Sequence, residues 1–318
     1  MQLTDDQIQF LRQHWPLEGE IKFHRRLANI VYFTSLHGRE VVLRLTEPSH
    51  RKFAEIESEL DWINYLHTNG MKVANPIASV QQRFIVEMPG SEKYFAVIFN
   101  KAPGALLKDD EDVPEQMIKT WGRYIGRMHS LTKSYVPKSN IQPRQPWRDE
   151  SLNMALRSLD KSDKIPYVRL HQLLEWMESL PKTKDYYGLM HTDLHRGNFF
   201  VDQNQITAFD FDDSCHHWFS YDFVAPINSV HKNFFEGNKH PDKIKTREMF
   251  LEGYRVENTL DPVWIDRIEI FDKYRAALMY HWIKTFIKEG ILDATGLERA
   301  KKRMPTLVEV LTEPIRFR

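Results

Sequence analysis

The residues best suited to chemistry lie in one segment, 191–213, which reads HTDLHRGNFFVDQNQITAFDFDD. Its apolar runs predict strands at 199–201 and 206–211, and the polar stretch between them predicts a turn. In an antiparallel hairpin, residues equidistant from the turn face each other. The His, Asn and Asp side chains that flank these strands are therefore expected to meet.

Asn198 and Asp210 are placed symmetrically about that turn. If Asn204 is taken as the centre, one lies six residues before it and the other six residues after it. Mg²⁺ takes few oxygen ligands from a protein and shares the rest of its coordination with substrate phosphates. An amide oxygen and a carboxylate at the open end of the hairpin would suit it. Asp193, five residues before Asn198, adds a second carboxylate on the loop that enters the hairpin.

The start of the chain predicts a short helix followed by a β-hairpin. Thr4 and Gln7 have the spacing of a capping box, which indicates a helix start. The segment 29–35 (NIVYFTS) is β-branched and aromatic, and 40–45 (EVVLRL) divides its side chains between two faces. A turn at 37–38 joins the two strands.

A longer helix and a second pair of strands follow. The helix is predicted from an apolar stripe spaced by three and four residues: Phe53, Ile56, Leu60, Ile63 and Leu66. Ser49 is expected to cap its start, and Gly70 is expected to end it. Strands are expected at 83–88 and 94–99, with Pro89-Gly90 in the turn between them.

The sequence pattern changes from mainly strand-like to mainly helical near residue 100. A helix is predicted from Pro114 to about Leu131, and helical patterns then dominate, except for a short β region at 188–212. We therefore expect an α+β protein with two domains, a smaller one over 1–100 and a larger one over 101–318.

Composition favours a folded cytoplasmic protein that binds neither nucleic acid nor membrane. The 318 residues are 42% hydrophobic and 12% aromatic, which excludes a disordered chain. Forty-four basic and 44 acidic residues cancel, so no basic field attracts nucleic acid. One cysteine, Cys215, forms neither an internal disulfide nor a cysteine-based zinc site. The polar start of the chain is unlike a secretory signal, and no apolar run approaches the ~20 residues of a membrane span.

The segment beginning at His191 resembles a known signature. His191-Thr-Asp-Leu-His-Arg-Gly-Asn198, followed by a strand and by Phe209-Asp-Phe-Asp-Asp213, is similar to the catalytic loop and metal-binding Asp of the aminoglycoside phosphotransferase and choline kinase-like family. Trp218-Phe-Ser-Tyr-Asp222 is similar to a further segment of that family. The resemblance runs in order from about residue 20 to 290 and is most specific over 191–222.

This resemblance implies a two-lobed protein-kinase-like fold, with a small antiparallel-sheet N-lobe and a larger, mainly helical C-lobe. It also implies transfer of the γ-phosphate of ATP, with Mg²⁺, to a hydroxyl of an amino alcohol, sugar, amino acid or aminoglycoside-like molecule. Asp193 would be the catalytic base, and His191 would brace its loop. Asn198 and Asp210 would bind Mg²⁺, and Asp222 would hold the loop from behind.

For the nucleotide, the resemblance implies a basic residue on the third strand paired with a Glu of the following helix. Arg44 and Glu59 occupy these positions, although the family residue is often Lys. The chain contains neither a GxxxxGK[ST] nor a GxGxxG motif, and residues 27–30, where the family covers the nucleotide, contain no glycine.

The adenine is expected to pack on the strand at 95–99. It would hydrogen-bond the backbone around Asn100, Lys101 and Ala102. The only partner implied is the small-molecule acceptor, and the oligomeric state is not legible from the sequence.

Other polar residues near the segment 191–213 have less defined roles. Asp212 and Asp213 could contact a second metal or the substrate, or could simply end a strand. His195 is expected to be structural or close to the phosphates. His216 and His217 are expected to be surface or packing residues rather than ligands.

The remaining polar and aromatic groups are expected to be structural. The acidic run 108–115 (KDDEDVPE) precedes a helix, where acids complement the helix dipole. Aromatic residues of the C-terminal helices are expected mainly in the core, with some lining a substrate cleft: Tyr254, Trp264, Tyr274, Tyr280 and Trp282.

Three alternative functions remain open from the sequence. A Ser/Thr protein kinase of the same fold is disfavoured because Tyr221-Asp222 follows Asp210 by only about a dozen residues, too few for an activation loop. A degenerate kinase fold used as a binding module would explain an arginine at 44 and the missing glycines. A metal-dependent hydrolase is the third, using His191, Asp193, His195, Asp210 and His216.

Overall fold

The structure, a computed structural model, describes residues 3–90, 93–148, 150–232 and 242–317, with the side chains of Glu150 and Ser151 left out. The chain forms two compact units, each built from more than one stretch of sequence. Unit 1 contains Met1–Gly104, Tyr135–Arg144 and Thr207–Asp212, and unit 2 contains Ala105–Ser134, Gln145–Ile206 and Asp213–Arg318.

Unit 1 is an antiparallel sheet with two helices. Its helices are α1 (Asp5–His14) and α2 (Phe53–Thr68), and its strands are β1 (Leu17–Arg26), β2 (Asn29–Leu36), β3 (Arg39–Thr46), β4 (Pro76–Ile77), β5 (Val86–Glu87) and β6 (Phe95–Asn100). The strands lie in the order β1-β2-β3-β6-β4, and β5 also pairs with β6. Alternate residues of β2 are buried, as expected for a sheet with one face on a core.

Local sequence explains where the two helices of unit 1 begin. The capping box of Thr4 and Gln7 is present and starts α1. The prediction that Ser49 caps α2 was wrong, because α2 begins after Lys52, whose backbone N–H donates to the Glu55 carboxylate at 2.7 Å. The hydroxyl of Ser49 instead donates to Glu47 at 3.4 Å.

Strand β1 was not predicted from the sequence. Most of its residues are exposed, because it lies at one edge of the sheet. Its sequence, LEGEIKFHRR, therefore carries charge instead of the apolar alternation of a half-buried strand. Pairing with β2 is irregular between Glu18 and Lys22 and again between Phe23 and Arg25, which further blurs the period of two.

Unit 2 is mainly helical. In chain order its helices are α3 (Glu115–Thr132), α4 (Glu150–Leu156), α5 (Lys164–Ser179), α6 (Val224–Asn228), α7 (Lys243–Tyr254), α8 (Pro262–Asp266), α9 (Ile268–Lys288) and α10 (Ala294–Thr312). The described residues also form the short strands β7 (Tyr187–Met190), β8 (Phe199–Asp202), β9 (Gln205–Ala208) and β10 (Cys215–Trp218). Strand β7 pairs with β10, and β8 pairs with β9. The boundary between the two units falls inside β9, after Ile206.

The second strand of the predicted hairpin is shorter than the sequence suggested. It ends at Ala208, whereas a strand to Phe211 was expected. Asp210 has a φ of 65°, and Phe211–Asp213 form a 3₁₀ turn, so the pleat is broken before Asp210. The argument that placed Asp210 on a regular ladder opposite Asn198 was therefore wrong in its physical basis.

Two glycines allow α3 and α7 to cross closely in unit 2. A Cβ at Gly122 would lie 2.1 Å from the carbonyl oxygen of Phe250, and one at Gly253 would lie 1.9 Å from that of Lys119. These distances require glycine on both helices. The contact fixes α3, which carries His129 into the interior of unit 2. No helix among the described residues is both long and apolar enough to span a bilayer.

Candidate active site

The backbone of the loop that follows β7 is hydrogen-bonded to the buried carboxylate of Asp222. Asp222 is fully buried, and its Oδ1 accepts the backbone N–H of Thr192 at 2.7 Å. Its Oδ2 lies 3.0 Å from Nε2 of His129. Thr192 has a φ of 67°, a conformation that costs energy for a β-branched residue and persists only where its surroundings hold it. The expectation that Asp222 supports this loop is confirmed.

His129 is the neutral partner of that carboxylate. Its ring stacks on Phe219 with centroids 4.2 Å apart, and its Nδ1 lies 3.1 Å from the hydroxyl of Tyr254. Burial lowers the pKa of His129, and the hydrogen bond with Asp222 only partly opposes this effect. A neutral imidazole that donates from Nε2 orients the carboxylate toward the loop.

Asp193 is the next residue of this loop after Thr192. Its side chain is 28% exposed, and its Oδ1 accepts a hydrogen bond from the guanidinium of Arg275. Burial alone would raise the pKa of Asp193, but the charge and hydrogen bond of Arg275 outweigh it and hold that pKa below its ordinary value. Asp193 is therefore an ionised carboxylate at neutral pH.

Arg275 was not identified from the sequence. It lies on α9, and its guanidinium also reaches the carbonyl of Thr192 at 3.3 Å and the hydroxyl of Tyr221 at 3.5 Å. Burial would lower the pKa of Arg275, and the Asp193 carboxylate raises it overall. Because Arg275 is 82 positions beyond Asp193, no local pattern could have linked the two.

The other loop residues fix its backbone. His191 is fully buried, as a bracing residue should be. The amide nitrogen of Asn198 donates to the backbone carbonyl of Asp193 at 2.9 Å, which orients the amide and leaves its oxygen as the atom that could bind a cation. The ring of His195 accepts the N–H of Gly197 at 2.9 Å, and burial lowers its pKa, so that ring is neutral.

Arg196 joins this loop to the acidic run that precedes α3. Its buried guanidinium donates to the carbonyls of Lys108 at 2.9 Å, Glu111 at 3.1 Å and Val230 at 2.7 Å. The backbone of the acidic run therefore contributes to the structure of the site. The expectation that the acidic side chains of 108–115 complement the helix dipole stays a prediction.

In unit 1, Arg44 and Glu59 form a buried, bidentate ion pair. Both distances from the guanidinium nitrogens to the carboxylate oxygens are 2.7 Å, and the residues are only 5% and 1% exposed. Burial would lower the pKa of Arg44, but Glu59 raises it, with further contributions from Asp212 and Asp210. The predicted pairing is present, and the role of Arg44 toward a nucleotide stays a prediction.

The two carboxylates of the Asp-Phe-Asp segment differ in their surroundings. Asp210 lies 3.2 Å from the guanidinium of Arg25 on β1, and its side chain is 33% exposed. Asp212 is buried and accepts from His50 at 2.7 Å and from Arg51 at 3.3 Å. Burial would raise the pKa of Asp212, but these partners hold it far below its ordinary value. Asp212 is thus a structural ion-pair centre, whereas Asp210 is accessible.

The residues predicted to meet the adenine lie at and just beyond the end of β6. The side chain of Asn100 donates to Asn75 at 3.0 Å, the ammonium of Lys101 lies 2.8 Å from Glu40, and Ala102 is buried. These contacts fix the segment without involving a nucleotide. The predicted nucleotide contacts of Asn100, Lys101 and Ala102 stay predictions.

A cavity of about 200 Å³ opens beside Asp193 within unit 2. Its lining includes Tyr274 and Trp282. They belong to the aromatic residues that were expected mainly in the core, with some lining a substrate cleft. The lining also includes His217, which was expected to be a surface or packing residue. His217 is buried and stacks on Tyr221 with centroids 4.1 Å apart, so it packs as expected and contributes to the cavity wall as well.

The chain is similar in sequence to a known family and to a curated relative. The family model described as the phosphotransferase enzyme family matches residues 21–257. The amicoumacin kinase of Bacillus subtilis (strain 168) is 33% identical over 270 residues, which cover 83% of this chain and 79% of the relative.

Solved structures agree with this match. An amicoumacin kinase in complex with AMP-PNP, Ca²⁺ and Ami superposes with a TM-score of 0.84 at 28% identity, covering 97% of this chain and 93% of the other. A microcompartment-associated aminopropanol kinase superposes with a TM-score of 0.76, covering 96% and 95%, and its 22% identity makes it evidence for the fold alone. The α+β protein-kinase-like fold is confirmed, with its antiparallel-sheet N-terminal part and helical C-terminal part.

These findings exclude the metal-dependent hydrolase. Its five ligands were a hypothesis from residue types, and residues of the same segment belong to the matched phosphotransferase region.

Proposed function

Because this chain belongs to the phosphotransferase enzyme family, we propose that it transfers the γ-phosphate of ATP to a hydroxyl group of a small molecule, with Mg²⁺ as the divalent cation. The nucleotide and cation are supported by the related amicoumacin kinase, whose complex contains AMP-PNP and Ca²⁺. The ionised Asp193 beside a cavity in unit 2 is the observation that carries the proposal.

Asp193 would accept a hydrogen bond from the acceptor hydroxyl and orient its oxygen for attack. An ionised carboxylate suits this role, because the hydroxyl must donate to it and lose its proton as the new bond forms. Arg275, the Asp222 support and the strained Thr192 would hold the carboxylate in place. Preorganised groups of this kind contribute to rate because they need no rearrangement during the reaction.

Asn198 and Asp210 would hold the cation. The oxygen of the Asn198 amide and the accessible carboxylate of Asp210 are hard donors of the type that Mg²⁺ prefers. When bound, the cation would neutralise the charge of the phosphates during transfer. Arg44 would contact the nucleotide from β3, and the backbone around Asn100 to Ala102 would meet the adenine.

The test is ADP release with a panel of small alcohols, which includes amino alcohols, sugars, amino acids and aminoglycosides. Wild-type protein with ATP and Mg²⁺ is expected to release ADP only with accepted alcohols. Asp193→Asn is expected to lower kcat by about a thousandfold or more, equivalent to ~4 kcal/mol of barrier. If no alcohol stimulates ADP release and ATP does not bind, the chain is a binding module rather than a kinase.

An ATP-dependent transfer of this kind would take place in the cytoplasm, where ATP is abundant. The protein-kinase alternative is less well supported, because the family relatives named above carry the names of small-molecule kinases. A peptide substrate would contradict the proposal if it were phosphorylated faster than every alcohol of the panel.

A further inference from the structure

Arg25 lies on the same face of the unit 1 sheet as Arg44. In the strand register Arg25 pairs with Val31 of β2, and Val31 pairs with Arg44 of β3. Residues directly opposite each other on neighbouring strands point to the same face of a sheet. Two strand spacings separate the two arginines, so their Cα atoms lie about 10 Å apart. Arg25 and Arg44 therefore stand on either side of Val31 in one row.

An irregularity in β1 gives Arg25 this direction. Phe23 pairs with Tyr32 of β2, whose side chain belongs to the buried core on one face of the sheet. Arg25 pairs with the residue just before it, Val31, so His24 is an extra residue in the pairing. In a regular strand Arg25 would share the face of Phe23, because side chains alternate with a period of two. The bulge turns Arg25 to the opposite face, and bulges that re-aim a side chain are frequent beside active sites.

Both arginines act on the carboxylate of Asp210. Nη2 of Arg25 lies 3.2 Å from Oδ2 of Asp210, and the charge of Asp210 is one of those that raise the pKa of Arg44. Asp210 is the residue of unit 1 that would bind the cation. Mg²⁺ is usually shared between one or two protein carboxylates and the phosphates of the substrate. The phosphates would therefore lie beside Asp210, within reach of the row that carries the two arginines.

Arg44 has few donors left for a phosphate. Both of its Nη nitrogens donate to Glu59 at 2.7 Å, and the residue is only 5% exposed. Its Nε is buried and has no hydrogen-bond partner in the part of the chain that the structure describes. The side chain of Arg25, in contrast, is 43% exposed, and the fork of a guanidinium matches the oxygens of a phosphate. Arg25 can therefore supply the accessible positive charge on this face.

We propose that Arg25 binds the β- and γ-phosphates of the nucleotide, next to the cation on Asp210. This inference rests on the proposed function and adds a phosphate-binding residue to its site. The cation bridges these two phosphates in phosphoryl transfer. Arg25 would exchange its hydrogen bond with Asp210 for phosphate oxygens when the carboxylate binds the cation.

Arg26 provides a matched control for Arg25. It is the next residue of β1, but it pairs with Ile30, which is buried in the core on the other face of the sheet. Its guanidinium lies 2.8 Å from Glu47, and its side chain is 50% exposed. Arg26 thus has the same charge and similar exposure, with no contact to Asp210.

The test is calorimetric titration of the full-length protein with AMP-PNP and with AMP, both in the presence of Mg²⁺. Arg25→Gln is expected to weaken the binding of AMP-PNP at least tenfold and to leave that of AMP within twofold, because AMP lacks the β- and γ-phosphates. Arg25→Lys should lie between wild type and Arg25→Gln, since an ammonium keeps the charge without the planar fork. Arg26→Gln should bind both nucleotides within twofold of wild type.

A purely structural ion pair of Arg25 with Asp210 predicts a different sign. Its removal would release the carboxylate for Mg²⁺, so AMP-PNP would bind to Arg25→Gln as tightly as to wild type or more tightly. That result, an equal loss of AMP binding, or an equal loss in Arg26→Gln would overturn the inference. Thermal melting without nucleotide shows whether each variant is folded, and if Arg25→Gln is not, the same comparison with Arg25→Met decides.

Failure of the inference is distinguishable from failure of the proposed function. ADP release by wild type is measured separately with the alcohol panel. If wild type releases ADP with an accepted alcohol and Arg25→Gln binds AMP-PNP undiminished, only the inference about Arg25 is refuted. If wild type neither binds AMP-PNP nor releases ADP, the proposed function is refuted together with it.

Discussion

The buried pair of Arg44 and Glu59 permits a prediction whose size follows from its surroundings. Two hydrogen bonds of 2.7 Å join groups that are almost wholly buried. Removing one partner of such a pair leaves a buried charge without compensation and costs about 3–5 kcal/mol, whereas replacing both by apolar residues is often neutral. Arg44→Met should therefore destabilise the protein strongly, and Arg44→Met with Glu59→Leu should restore most of the loss.

The two single substitutions should differ in how much they lower the free energy of unfolding. In Glu59→Leu the guanidinium of Arg44 still has the charges of Asp212 and Asp210 nearby, which also raise its pKa. In Arg44→Met the carboxylate of Glu59 loses its bidentate partner. We expect Arg44→Met to cost more than Glu59→Leu, and the coupling between the two substitutions to be at least ~2 kcal/mol.

Differential scanning calorimetry of the full chain without nucleotide measures this prediction. For domains of 150–250 residues the melting temperature falls by about 2–4 °C per kcal/mol of lost stability. Arg44→Met should therefore lower the melting temperature of the first unfolding transition by about 6 °C or more. Arg44→Lys is the matched control, because it keeps the charge but only one of the two hydrogen-bond geometries, and it should fall in between. The reasoning fails if each single variant costs less than 1 kcal/mol, or if the double variant loses the sum of both.

Three further predictions concern unit 2. Asp222→Ala leaves a buried backbone N–H without its acceptor and should cost about 1–3 kcal/mol, measured by melting, with kcat reduced as well; an unchanged melting temperature would contradict the support described. Gly253→Ala places a methyl group 1.9 Å from the carbonyl oxygen of Lys119 and should cost at least about 1–3 kcal/mol; a neutral effect would show that the helices can separate freely. Arg275→Gln removes the charge that holds the pKa of Asp193 down, so burial should raise that pKa and move the acidic limb of kcat/KM to higher pH; a limb that stays in place would argue against Asp193 as the group observed.

Much of the fold was predictable because its signals are local. Thr4 and Gln7 satisfy each other across one helical turn, and Ile56, Leu60, Ile63 and Leu66 of the predicted stripe are buried, whereas Phe53 at its start is exposed. The pairing of Arg44 with Glu59 was predicted from the family resemblance, which places a basic residue on the third strand and a Glu on the helix that follows it, and the structure contains this pair.

The remaining features depend on contacts that are distant in sequence or on irregular backbone. Strand β1 carries charges because it lies at a sheet edge. The turn at Asp210 uses a positive φ that no residue pattern announced. Arg275 and Arg303 reach the cavity from α9 and α10, so only the packed structure shows that they share a wall with Asp193.

The most direct test of the central claim separates cation-dependent nucleotide binding from transfer. Calorimetric titration with AMP-PNP and Mg²⁺ is compared for wild type, Asp210→Asn and Asp193→Asn, and ADP release is measured for the same three proteins with ATP and an accepted alcohol. The account predicts that Asp210→Asn loses both Mg²⁺-dependent binding and turnover, and that Asp193→Asn binds the nucleotide like wild type but turns over at least a thousandfold more slowly. Undiminished Mg²⁺-dependent binding by Asp210→Asn, or near-normal turnover by Asp193→Asn, would contradict it.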